Sequence, residues 1–195
     1  MAGIEGNLYL NKKSQLKHLY VYNHECSKIS ESNLEKLLSS CHSLKRLSMI
    51  GIQSVGKKYS PEEEELGLLN HNMVKSICQQ NYKTLEAIHL SGVEVKWILM
   101  IFENCLELRE FSLVSNDLTE ESANVLVNSL PPKIEKFGIY RGLPDPGKGP
   151  TPITDDHVEV LLRRCNKLSA LNLSQYVESR VLKMVFCFQN CSDLL

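Results

Sequence analysis

No stretch of this chain approaches the run of about 18 apolar residues that a membrane-spanning helix needs. The longest, Trp97 to Phe102, is far too short. The first residues, Met1-Ala2-Gly3-Ile4-Glu5-Gly6-Asn7, lack the basic-then-apolar layout of a secretion signal. Charge is nearly balanced, with 22 Lys and Arg against 23 Asp and Glu and a net −1, so nothing draws the chain toward nucleic acid or an anionic membrane. There is no Cys-x-x-Cys pair. Seven cysteines is an odd number. Without a secretion signal they read as reduced thiols in the cytoplasm or nucleus. The six histidines form no His-Glu-x-x-His and no i, i+4 pair, while Gly142, Gly147 and Gly149 make no dinucleotide or phosphate loop. The expectation is therefore no enzyme, no cofactor and no metal; a hydrolase assembled from rim loops is the remote alternative. The two sequons, at Asn172 and Asn190, read as unmodified.

What the chain does have is a repeat. The pattern L-x-x-L-x-L occurs at Leu16-Leu19-Val21, Leu44-Leu47-Met49, Leu85-Ile88-Leu90, Leu108-Phe111-Leu113, Ile134-Phe137-Ile139 and Leu168-Leu171-Leu173. A seventh begins at Leu194. Subtracting start positions gives spacings of 28, 41, 23, 26, 34 and 26 residues. Four of these are near the roughly 20–29 residues of a leucine-rich repeat, and the other two fit one repeat plus an insertion. Burial explains the spacing. In x-L-x-L-x both apolar side chains point to one face of a strand. Parallel strands laid side by side need a return element between them. Here those elements read as helices.

The helix starts carry their own signals. Ser30 precedes a segment with Leu34, Leu37 and Leu38 on one stripe. Ser60-Pro61-Glu62-Glu63 combines an N-cap, a proline at the first helical position and a glutamate three residues after the cap. Glu62 to Glu65 then suit the helix dipole. This helix is predicted to run to about Cys78, with Leu66, Leu69, Met73 and Ile77 facing in. Thr119 caps a helix bearing Ala123, Leu126 and Leu130 that Pro131-Pro132 ends. Thr154 caps another with Val158, Leu161 and Leu162, closing on Arg163 and Arg164. Trp97, with Ile98, Met100, Ile101 and Phe102, reads as core or repeat-to-repeat contact. Insertions fall at Gln53–Tyr59 and Gly142–Ile153. Seven of the eleven residues from 142 to 152 are Gly or Pro, so the second is a loop.

Cys41, Cys105, Cys165 and Cys191 each lie three residues before a strand signal. A thiol recurring in step with a repeat reads as packing, since it is small, apolar and easily buried. Equivalent positions of successive turns form a line and do not converge on one ion as zinc requires. The step Cys-x-x-Leu-x-x-Leu-x-Leu, clearest at Cys165-Asn166-Lys167-Leu168-Ser169-Ala170-Leu171-Asn172-Leu173, resembles the cysteine-containing repeats of F-box/leucine-rich-repeat proteins. Asn116-Asp117-Leu118-Thr119-Glu120-Glu121-Ser122-Ala123 resembles instead the ribonuclease-inhibitor and NOD-like-receptor type. The likeness covers roughly residues 14–195. Where that family often has Asn or Cys after L-x-L-x-x, this chain has His24, Ile52, Val93, Asn116, Gly142 and Tyr176. The turns are thus expected to be held mainly by packing.

The resemblance implies an α/β fold: a right-handed leucine-rich-repeat solenoid (a horseshoe arc), parallel sheet on the concave face, helices on the convex face. It implies a single domain over 1–195, about six repeats plus a truncated seventh. With no F-box ahead of the first repeat and no polar cap after the last, a piece of a longer protein is expected. The implied function is protein–protein recognition, in its leading form the substrate-recognition region of an F-box ubiquitin-ligase subunit. The alternative is the repeat region of a NOD-like receptor or a ribonuclease-inhibitor-like scaffold. The expected partner is another protein on the concave face, with no nucleic acid and no membrane, and the chain is expected to be a monomer. The x positions of each repeat would face that partner. Tyr and Arg anchor protein interfaces, so the partner-binding candidates are Tyr20, Tyr22, Arg46, Ile50, His89, Glu110 and Tyr140.

Overall fold

The computed structural model describes residues 15–23, 31–51, 69–115, 118–140 and 153–173. Strands and helices alternate along the chain: β1 (His18–Asn23), α1 (Glu31–Ser40), β2 (Arg46–Gly51), α2 (His71–Asn81), β3 (Ala87–Ser91), α3 (Val95–Asn104), β4 (Glu110–Val114), α4 (Glu120–Ser129), β5 (Lys136–Tyr140), α5 (Asp155–Arg164) and β6 (Ala170–Asn172). The six strands form one parallel sheet in chain order, β1-β2-β3-β4-β5-β6.

The register aligns the six sequence hooks as neighbours. Leu19, Leu47, Ile88, Phe111, Phe137 and Leu171 form one row, and Val21, Met49, Leu90, Leu113 and Ile139 the next. Most of these side chains are fully buried, in a single core shared with the helices. Phe102 of α3 meets Phe111 of β4 edge-on at 4.8 Å between ring centres, and Phe111 stacks on Phe137 at 5.9 Å. At the ends the rule relaxes. Leu16 is exposed and Leu171 only partly buried.

Thr119 accepts the Ser122 N–H at 3.1 Å and opens α4, whose Ala123, Leu126 and Val127 are buried. At α5 the ring of buried His157 takes the place usually filled by a glutamate. Its Nδ1 accepts the Thr154 N–H at 3.0 Å, satisfying one of the free donors at the helix start. Val158 and Leu161 are buried, as the spacing predicts, and Leu162 partly so.

One helix boundary departs from the sequence reading. The Ser60 signal predicts a helix from 60 to about Cys78. The structure starts it at His71, after an extended Asn70 (φ −102°, ψ 175°) whose side chain accepts the Met73 N–H at 2.9 Å, and ends it at Asn81. Asn70 is itself a strong N-cap. Leu69 and Val74 occupy the two positions of a hydrophobic staple, and both are buried. Ser60 and Glu62–Glu65 lie outside the described residues, as do Ser30, Leu66 and the Gln53–Tyr59 insertion. So do Gly142–Pro152, Cys26, Cys187, Cys191 and the seventh repeat.

Hydrogen bonds accompany the packing between turns. Just before each strand from β2 to β6 a backbone N–H reaches the preceding turn: Lys45 to Lys17 O, Glu86 to Lys45 O, Arg109 to Glu86 O, Glu135 to Arg109 O and Ser169 to Glu135 O, all at 2.7–2.9 Å. Buried Asn81 adds a side-chain tie, accepting the Leu44 N–H at 2.9 Å and donating to Cys41 O at 3.0 Å. Two ion pairs span the same rim, Lys45–Glu86 at 2.7 Å and Arg109–Glu135 at 3.1 Å. Both are solvent-exposed, so each contributes only about 0–1 kcal/mol. At the other ends of the strands, Gly92 follows β3 with φ of 59°, a left-handed conformation open to glycine without cost. Its N–H donates to Val114 O at 3.2 Å.

Candidate interaction surface

Three of the buried thiols follow the repeat. Cys41, Cys105 and Cys165 sit where a helix turns back into a strand, each donating its backbone N–H to the helix before it. All three are buried, one per turn. The Cys165 thiol donates to Pro131 O of the preceding turn at 3.8 Å, a long contact of the kind sulfur makes. Burial pushes the Cys165 thiol up, and a hydrogen bond to Cys78 together with burial pushes Cys105 up. A raised pKa keeps the Cys105 and Cys165 thiols in the protonated, less nucleophilic form. Among the described residues no three His, Cys, Asp or Glu side chains are placed to hold a metal ion, and no helix is long and apolar enough to cross a membrane.

The opposite face of the sheet carries the other half of each strand. One row runs His18, Arg46, Ala87, Glu110, Lys136, Ala170; the next runs Tyr20, Ser48, His89, Ser112, Gly138, Asn172. Ile50 and Tyr140 lie one step further along their strands. The face is varied where the core face is uniform. Tyr20, on β1, is 52% exposed, and Ile50, on β2, is half-buried. Tyr22 shares this face by its place in β1; its side chain lies outside the described residues.

The structure joins two of the sequence candidates directly. Both terminal nitrogens of Arg46 donate to the Glu110 carboxylate, at 3.1 and 3.3 Å. Lys136 donates to the same carboxylate from the other side at 2.8 Å. Arg46 and Glu110 are two strands apart, roughly 10 Å at the usual strand spacing. The guanidinium bridges that gap across Ala87, whose methyl leaves room and is fully buried beneath it. Burial raises the Glu110 carboxyl, but the Lys136 bond and the Arg46 charge outweigh it and hold the group below its ordinary range. His89 lies in the neighbouring row. Burial, helped by the Arg46 and Lys136 charges and opposed by Glu110, lowers its pKa, so it is neutral near pH 7.

Tyr140 lies down along its own strand. A β-carbon on Gly138 would come within 2.7 Å of the Tyr140 ring, so only glycine lets that ring rest there. Lys136, Ala87 and Gly138 shape the Arg46, Glu110 and Tyr140 side chains' surroundings on this face, and the residue-type argument passed over them. The mid-strand glycine was their available signal, since glycine there often marks a close approach. Ser48 is buried between Tyr20 and His89, although its position faces outward, because a small side chain between two large ones is shadowed. Tyr20, at one side of the sheet, and Tyr140, four strands away, do not meet; the Arg46–Glu110–Lys136 cluster occupies the ground between.

No protein-family model matches this chain, and no curated protein matches it. Its class therefore rests on architecture: an α/β protein in which strand and helix alternate along a six-stranded parallel sheet.

Proposed function

We propose that this chain is a protein-recognition module, a right-handed leucine-rich-repeat solenoid that holds its partner on the concave, open face of the sheet. The carrying observation is the register. All six hooks align, so the residues between them form one continuous surface that the hydrophobic core does not use. The right hand follows from the near-universal preference of parallel β-α-β crossovers. Tyr20, Tyr140 and Arg46 are residue types that anchor interfaces. The cysteine-bearing turns at Cys41, Cys105 and Cys165 support the narrower reading, the substrate-recognition region of an F-box ubiquitin-ligase subunit, monomeric and in the cytoplasm or nucleus. An F-box in the full-length gene product would support that version and a nucleotide-binding domain would overturn it.

The test is capture of partners from lysate by the wild-type chain and by Tyr20→Ala/Tyr140→Ala, identified by mass spectrometry. The double variant is expected to lose the partner while its melting temperature changes little. A partner retained by the double variant would move the site to the helical side or the connecting segments.

A further inference from the structure

The Arg46–Glu110–Lys136 cluster is assembled as a cation display. Glu110 lies beneath, its side chain 16% exposed, while Arg46 and Lys136 are 41% and 55% exposed above it. Arg46 has five N–H donors and spends two on Glu110; Lys136 has three and spends one. The three groups together carry +1, in a chain whose net charge is −1. Of their neighbours, Ala87 lies buried under the guanidinium and Ser112 is small, while the Tyr140 ring rests on Gly138 and His89 stands between Ser48 and Ser112. Glu110 fixes both cations from below without consuming their outward donors. Such preorganisation lowers the ordering cost of binding.

We propose that this cluster seats a carboxylate side chain of an extended acidic segment in a partner protein, bridged by Arg46 and Lys136 over Glu110. The proposal rests on the open-face reading and names the chemistry that face selects. A partner carboxylate would take charge-assisted hydrogen bonds from both cations. A basic segment would meet +1 and be refused.

The test is selection from a random-peptide phage library on the immobilised chain, followed by titration of the selected peptides in labelled form. Asp- and Glu-rich peptides are expected to be enriched and to bind less tightly as salt rises. Arg46→Gln and Lys136→Gln should each weaken them about tenfold, the size of one charge-assisted bond. Glu110→Gln should tighten them, because it removes the competing charge but keeps the shape. Loss of binding in Glu110→Gln, with the fold intact by circular dichroism, would mean that the cluster is only structural and would overturn the proposal. Enrichment without acidic preference, lost in Tyr20→Ala/Tyr140→Ala, would overturn it while leaving the open-face reading standing. Peptides indifferent to all these substitutions would overturn both. Failure to enrich any peptide, or displacement of the peptide by a single-stranded oligonucleotide at lower concentration than by unlabelled peptide, would also overturn it.

Discussion

Each strand of this sheet has two faces built from alternate residues, and the two obey different rules. On the inner face Leu19, Leu47, Ile88, Phe111, Phe137 and Leu171 stand side by side, interchangeable in chemistry and differing only in size. On the outer face the neighbouring row holds an arginine, an alanine, a glutamate and a lysine, and each identity matters to the next. Packing against helices tolerates any well-fitting hydrophobe. Pairing charges across a small residue tolerates almost no exchange. The varied face is therefore the one on which the proposed function depends.

The sharpest way to break the contrast is to cut adjacent residues that face opposite ways. Phe111→Ala removes a fully buried ring that touches Phe102 and Phe137 and should cost about 3–5 kcal/mol. Ser112→Ala, next along β4 but facing out, should fall within about 0.5 kcal/mol of wild type. Urea denaturation of both variants checks this; equal losses would erase the distinction between the faces.

A smaller effect tests the rim between the faces. Asn81→Ala removes the buried side chain that accepts the Leu44 N–H and donates to the Cys41 carbonyl, at a cost of about 2 kcal/mol or more. Asn81→Leu, which restores volume but not hydrogen bonds, should not rescue the loss. If it does, packing alone holds that turn.

The smallest effect belongs to the outer face and depends on pH. His89 has a folded-state pKa below its ordinary value, so the folded state binds its proton less readily than the unfolded chain. Its contribution is present above about pH 6.5 and is lost as pH falls through the lowered folded value. Glu110, also lowered, adds a second loss at more acid pH, below the ordinary carboxylate range. The melting temperature should therefore decline modestly as pH falls from 7 toward 5, and His89→Gln should flatten that decline. An unchanged slope in the variant would show that His89 does not differ between the folded and unfolded states.

How legible was this from the residues alone? The core face was largely readable, because a strand that buries alternate residues writes its period into the chain. The caps at Thr119 and Thr154 were readable too, being local hydrogen-bonding chemistry. Misreading the start of α2 had an equally local origin. Ser60 and Asn70 both carry cap chemistry, and only the burial of Leu69 and Val74 shows that the chain enters this helix at the second. Asn81 went unnoticed because it lies at a helix end instead of the position where such families usually carry their asparagine. Arg46, His89 and Glu110 were each picked out singly; that two of them grip one another was invisible.

Sequence by itself determined the spacing of the hooks, the alternation of strand and helix, and which half of each strand is apolar, since those follow from periods a few residues long. Only the tertiary structure decided that Arg46 reaches across Ala87 to a glutamate 64 residues away, with Lys136 closing from the other side. The reason is physical: a period is a property of neighbours along the chain, whereas an ion pair across three strands depends on their register, which the whole core sets at once.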